Sequence, residues 1–169
     1  MKSIDVANGI VDQYHSDVAL TNLKLNKLVY FSQVLSLKET GEPLFEDPIQ
    51  AWSYGPVEPL VYYRFQKYGR DRIHAGETYE QTEHSQAVIK RVMDRMGKMT
   101  AFDLVRLSHR DGGAWKRVYL PHENAEIAPE TILESSDMSV FDSSGRTLSD
   151  GIAAVDKSWP NALRMLENT

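Results

Sequence analysis

The sequence contains no cysteine. That excludes disulfide staples, thiol nucleophiles, cysteine-ligated zinc and iron–sulfur centres, and it makes a reducing, cytoplasmic setting the expectation. No stretch approaches the roughly 18–20 consecutive apolar residues that span a bilayer, so no membrane partner is expected. The opening residues mix one lysine with Asp5, Asp12 and Asp17 among apolar positions, which is not the pattern of a secretory signal. Catalytic frameworks are missing as well. There is no HExxH, and no two of His15, His74, His84, His109 and His122 stand four apart. No G-x-S-x-G elbow, P-loop or dinucleotide fingerprint occurs. His109-Arg110-Asp111 spells the start of a kinase catalytic loop, but the glycine-rich loop, the upstream lysine and the metal-binding aspartate are lacking. Carboxylates are plentiful, yet nothing singles out a pair for acid–base work. No catalytic residue, metal or cofactor is expected, and the chain reads as a non-enzyme.

What is present is ordinary globular material: 169 residues, 41% hydrophobic and 25% charged, enough for one domain with a core of its own. The net charge of −5 is unevenly spread. Residues 1–122 carry 16 Lys/Arg against 15 Asp/Glu, whereas residues 123–169 carry 3 against 9. A neutral body with an acidic tail argues against nucleic acid as the main partner, because phosphate binding needs a positive field. Lys90, Arg91, Arg95 and Lys98 form the one basic run, read as a solvated face balanced by Glu83 and Asp94.

Periodicity predicts a mainly α-helical chain. Ile4, Val6, Ala7, Ile10, Val11 and Tyr14 mark a first helix, capped by Ser3 or Asp5. Thr21 offers an N-cap for a second, amphipathic helix, with Leu25, Leu28, Val29, Ser32, Leu35 and Ser36 on one stripe and Gly41 as its C-terminal stop. Pro48–Tyr54 alternates weakly and reads as a short strand halted by Gly55-Pro56. Pro56 then suits the first turn of a helix running through Val61, Tyr62, Phe65 and Tyr68 to Gly69. Residues 70–82 are polar and irregular. A helix over about Glu83–Met96 carries the stripe Val88, Ile89, Val92, Met93 and Met96, ending at Gly97. Thr100 with Asp103 resembles a capping box for a helix carrying Phe102, Leu104, Val105 and Leu107. Gly112-Gly113 makes a turn before a short helix over Ala114–Tyr119. Ile127 suits a short strand, Pro129 a helix start, and residues 135–150, rich in Ser, Asp and Gly, a linker. The fold class expected is thus mainly α, a compact multi-helix domain with a small β element. The organisation expected is a helical body over 1–134, then a linker plus helical extension of unassigned role over 135–169.

Three stretches carry a family resemblance. Leu20-Thr21-Asn22-Leu23-Lys24-Leu25-Asn26-Lys27-Leu28-Val29-Tyr30-Phe31 forms the first. The second runs from Gly41, Pro43, Leu44, Phe45, Asp47, Ile49 and Ala51 through Trp52, Tyr54, Gly55, Pro56, Val57, Pro59 and Tyr62 to Tyr68-Gly69. The third is Leu107-Ser108-His109-Arg110-Asp111-Gly112-Gly113-Ala114-Trp115, where Ser108 stands for the usual Thr and Ala114 for the usual Pro. Together they resemble the Panacea antitoxin domain family, the SocA-like group, which includes phage- and prophage-associated members. The resemblance covers roughly residues 4–134. It implies a helical domain with a small β element that neutralises a cognate toxin protein, expected from an adjacent gene, through protein–protein interaction. Rival roles are a proteolytic adapter, with a protease as second partner, and a DNA-binding regulator. Homo-oligomerisation stays open.

The density of Trp52, Tyr54, Tyr62, Tyr63, Phe65 and Tyr68 marks the expected contact surface, since Tyr, Trp and Arg most often anchor interfaces. Phe65 and Trp52 are expected in the core. Tyr54, Tyr62, Tyr63 and Arg64 are expected to grip the partner, with Trp159 in the tail, beside Met165 and Leu166, as a second grip. Trp52, Gly55, Pro56, His109 and Trp115 are expected to hold the motif's structure, His109 as a helix-end histidine bonded to backbone carbonyls.

Overall fold

The computed structural model describes residues 1–142. Among these are helices α1 (Ser3–Tyr14), α2 (Asn22–Thr40), α3 (Pro59–Phe65), α4 (Glu83–Met96), α5 (Ala101–Ser108), α6 (Ala114–Val118) and α7 (Pro129–Leu133) and one antiparallel hairpin, β1 (Gln50–Trp52) and β2 (Gly55–Val57). The fold is mainly α with a small β element, as the periodicity predicts.

Helix α2 is the axis of the molecule. Thr21 caps it by accepting a hydrogen bond from the Lys24 N–H, and Gly41, at φ 75°, ends it in the left-handed conformation that glycine tolerates best. Helices α1, α3, α4, α5 and α7 and strand β2 all pack against it. Its expected amphipathicity is overturned: Asn22 and every residue from Lys24 to Leu37 are buried, polar ones included. Most of the polar side chains are satisfied in the interior by bonds to the backbone of a neighbouring segment, while Ser32 donates back to the Leu28 carbonyl of its own helix. Lys24 Nζ donates to the Gly97 carbonyl at 2.8 Å and Lys27 Nζ to the Pro56 carbonyl at 2.7 Å. Gln33 Nε2 donates to the Phe45 carbonyl, while its Oε1 accepts from the Leu44 and Phe45 N–H groups. Ser36 Oγ donates to the Glu42 carbonyl. Asn22 Nδ2 donates to the Tyr62 carbonyl.

Around this axis several expectations hold and several shift. The α4 stripe is buried as drawn, and the Thr100–Asp103 capping box opens α5. Pro129 starts α7. The first helix is capped differently: Lys2 occupies the N-cap, Asp5 accepts from its N–H, and Asp47 accepts from the Ser3 N–H at 2.6 Å. Gly55-Pro56 does not stop the chain but begins the return strand, with Ala51 opposite Pro56 and Trp52 opposite Gly55. Helix α3 therefore starts at Pro59, capped by the buried Glu58, whose carboxylate accepts from the Leu60 and Val61 N–H groups. It ends at Phe65, and a 3-10 turn (Gln66–Tyr68) leads to Gly69. On the other side of β1, Ala51 donates to the Ala125 carbonyl and Ile127 to the Ile49 carbonyl, so the stretch around Ile127 extends the hairpin.

The stretch after Leu133 is packed rather than linker-like as far as it is described. A 3-10 turn (Ser136–Phe141) lies on α2, with Val140 and Asp137 buried. Asp137 Oδ2 accepts from the Tyr30 hydroxyl at 2.6 Å and from the Ala114 N–H at 2.8 Å. Burial raises the Asp137 carboxyl above its ordinary value, and the Tyr30 hydroxyl is held well above its own by burial and by the Asp137 charge.

Candidate functional site

The hairpin has two faces. The inner face rests on a buried polar cluster in which the three sequence motifs meet. Gly55 is at φ 100°, and a Cβ there would come within 2.7 Å of Ser108 Oγ and 3.0 Å of Lys27 Nζ. Both its conformation and its surroundings therefore require glycine. Lys27 has no exposed surface, and burial pushes its ammonium down to about 7. His109 ends α5 with its ring centroid 3.7 Å from that of Trp115. Burial, with Lys27 and Lys116 nearby, pushes the imidazole down to about 3, so the ring is neutral and packs as an aromatic. Trp115 stacks on Tyr119 and donates its indole N–H to the Trp52 carbonyl at 2.8 Å, locking the hairpin to α6.

The outer face is an open groove of ≈ 880 Å³. Trp52 and Tyr54 of the hairpin, Tyr62 and Tyr63 of α3, Leu23 of α2 and Phe102 of α5 supply its aromatic and apolar lining. Trp52 meets Tyr62 at 4.9 Å and Tyr63 at 6.2 Å between centroids, and the two tyrosines meet edge-on at 5.4 Å. Adjacent helical residues diverge by about 100°, but Trp52 reaches between them, so both rings line one groove. The geometry corrects the placement of Trp52: it is half-buried and lines the groove rather than the core. Phe65 is buried as expected, whereas Phe102 is 41% exposed. Tyr63 is 56% and Tyr54 39% exposed.

Not every expected contact residue reaches the groove. Arg64 lies off its lining and pairs with Glu77. Trp159, Met165 and Leu166 lie outside the described residues. Leu23, Arg70, Phe102 and Asn124 line the groove and were not singled out from sequence. Phe102 had one usable signal, since it falls off the buried Leu104, Val105 and Leu107 stripe of α5. Three of the four residues of the basic run are internally engaged: Lys90 pairs with Asp94, Arg91 with Glu39, and Arg95 lies over the Phe141 ring. Among the described residues, no three His, Cys, Asp or Glu side chains are grouped to hold a metal ion, and no helix is long and apolar enough to cross a membrane.

A small hairpin fixed on a helical body, with an open aromatic groove beside it, makes up the candidate site. Residues 25–116 match the family described as antitoxin SocA-like, Panacea domain, and the chain belongs to that family. It is 34% identical over 124 residues to antitoxin SocA of Caulobacter vibrioides (strain NA1000 / CB15N), a match covering 65% of this chain and 66% of that protein. The chain thus aligns with just under two thirds of the curated relative's length. No solved structure matches it.

Proposed function

We propose that the chain is a non-catalytic cytoplasmic antitoxin that neutralises a toxic protein by binding it directly through the aromatic groove. The observation that carries this reading is the exposure of Tyr54, on the hairpin turn, and Tyr63, on α3, beside a hairpin anchored by hydrogen bonds from Trp115 and Lys27 and closely fitted at Gly55. Aromatic side chains offer large contact area with few rotors to freeze, and a rigid mount lowers the ordering cost of association. Membership of the antitoxin family supports the same role. The cognate toxin is expected from an adjacent gene. Inhibition is steric: a segment of the toxin seated in the groove is covered or held in an inactive form.

The test is growth. The neighbouring open reading frame is expressed alone and together with this chain. Toxicity of the neighbour, rescue by this chain and co-purification of the two support the proposal. A harmless neighbour with no co-purifying partner overturns it.

A further inference from the structure

Aromatic rings alone do not say what kind of segment they receive, but the charges around them do. Among the described residues no carboxylate lines the groove, and the one ionic group in its lining is Arg70, just past the 3-10 turn that follows α3. Arg70 is exposed and forms no ion pair among the described residues, unlike Arg64, which Glu77 already engages. Gln66 and Asn124, both exposed, add neutral donors and acceptors to the lining. A guanidinium with its fork unoccupied matches a carboxylate in two parallel hydrogen bonds. Exposed amides can bond to the N–H and C=O groups of an extended backbone, while the aromatic floor takes an apolar side chain.

We infer that the groove receives a short acidic–apolar peptide segment of the partner, its apolar side chain on the Trp52–Tyr63 floor and its Asp or Glu side chain on Arg70. Strand addition is not the mode at β2, because Pro56 has no N–H and its carbonyl is taken by Lys27. This inference rests on the proposed protein-binding function and deepens it. Arg70 is then a specificity determinant: it selects which partners fit, on top of the affinity the aromatics give.

The test uses the full chain and three end-capped tripeptides, Asp-Leu-Phe, Asn-Leu-Phe and Lys-Leu-Phe, titrated while the groove tyrosine and tryptophan resonances are followed by NMR. The acidic peptide is expected to bind about fivefold more tightly than its Asn analogue, the scale of one charge-assisted contact at a surface. The Lys peptide is expected to bind weakest. Arg70→Gln should erase the difference, and Arg70→Glu should reverse it. Binding that ignores peptide charge, a preference that survives Arg70→Gln, or no binding of any peptide would overturn the inference. So would adenosine monophosphate, titrated in parallel, occupying the groove more tightly than the acidic peptide, because the anion site would then serve a nucleotide. These outcomes are separable from the antitoxin reading, which stands or falls on rescue and co-purification by the unmodified chain. A chain that rescues growth while showing no charge preference sinks only the acidic-segment assignment.

Discussion

The inner and outer faces of one eight-residue hairpin, 50–57, meet opposite demands. On the inner face, Lys27, Ser108 and His109 are polar and sealed, and the contacts around Gly55 leave no room for a methyl group. On the outer face, the half-buried Trp52 and exposed Tyr54 of the hairpin join exposed Tyr63 of α3 in lining the open groove, Trp52 meeting Tyr63 edge-on. The usual distribution of polar and apolar groups is inverted across a single layer of backbone. A sealed polar underside fixes where the backbone runs, because each buried donor must find its acceptor. An open apolar upper side stays available to another molecule. Substitutions below should therefore move stability, and substitutions above should move binding.

The largest effect is expected from Gly55→Ala. A φ of 100° combined with contacts of 2.7 and 3.0 Å should lower unfolding free energy by about 4 kcal/mol, read by urea denaturation. Stability close to that of the unmodified chain would break the division between the faces. The next effect concerns pH. Lys27 titrates near 10.5 when unfolded and near 7 when folded, so between these values the unfolded state holds the extra proton. Stability should rise with pH over that window, and below about 7 the burial penalty is present in full. Between pH 7 and 9 the unmodified chain should gain about 2 kcal/mol relative to Lys27→Met. Parallel stability profiles for the two would refute this. The His109 ring has its own window on the acid side: it stays neutral down to about 3 when folded, so stability should fall as pH drops from 6.5 towards 3.

On the upper face, Tyr54→Ala with Tyr63→Ala should weaken toxin binding by about 1.5–2 kcal/mol while shifting stability by less than about 1 kcal/mol, measured by calorimetric titration beside thermal melts. A double variant that melts early but binds normally would reverse the assignment of the faces. The smallest effect is expected from Arg64→Ala. Its exposed pair with Glu77 lies off the groove lining, so both stability and binding should change by less than about 0.5 kcal/mol.

Much of this architecture was legible in the sequence. Thr21 and Gly41 bracket α2, Thr100 and Asp103 open α5, and the Val88–Met96 stripe gives α4, because caps and periodicity are local. The burial of α2's polar positions was not legible. Asn22, Lys24, Lys27 and Gln33 resemble a solvent-facing side until Tyr62, Gly97, Pro56 and Phe45 arrive from distant segments to cover them. Strand β2 escaped for a related reason. Three residues hold too little pattern to show period two, and Gly55-Pro56 reads locally as punctuation although pairing with β1 makes it a strand. At the candidate site, sequence density found Tyr54, Tyr62 and Tyr63 but placed Trp52 in the core. It could not see that α5 brings Phe102 across from α3, since that approach belongs to tertiary packing.

One habit of helix α2 reaches further. Lys24, Lys27, Gln33, Ser36 and Asn22 all donate to main-chain carbonyls, of Gly97, Pro56, Phe45, Glu42 and Tyr62, and not to the side chains of those residues. The helix therefore fixes the course of each covering segment while remaining indifferent to much of its spelling. A library randomised at positions 54, 63, 70 and 102 would leave every one of these bonds untouched. Such a scaffold can be re-lettered at its rim without being rebuilt at its axis.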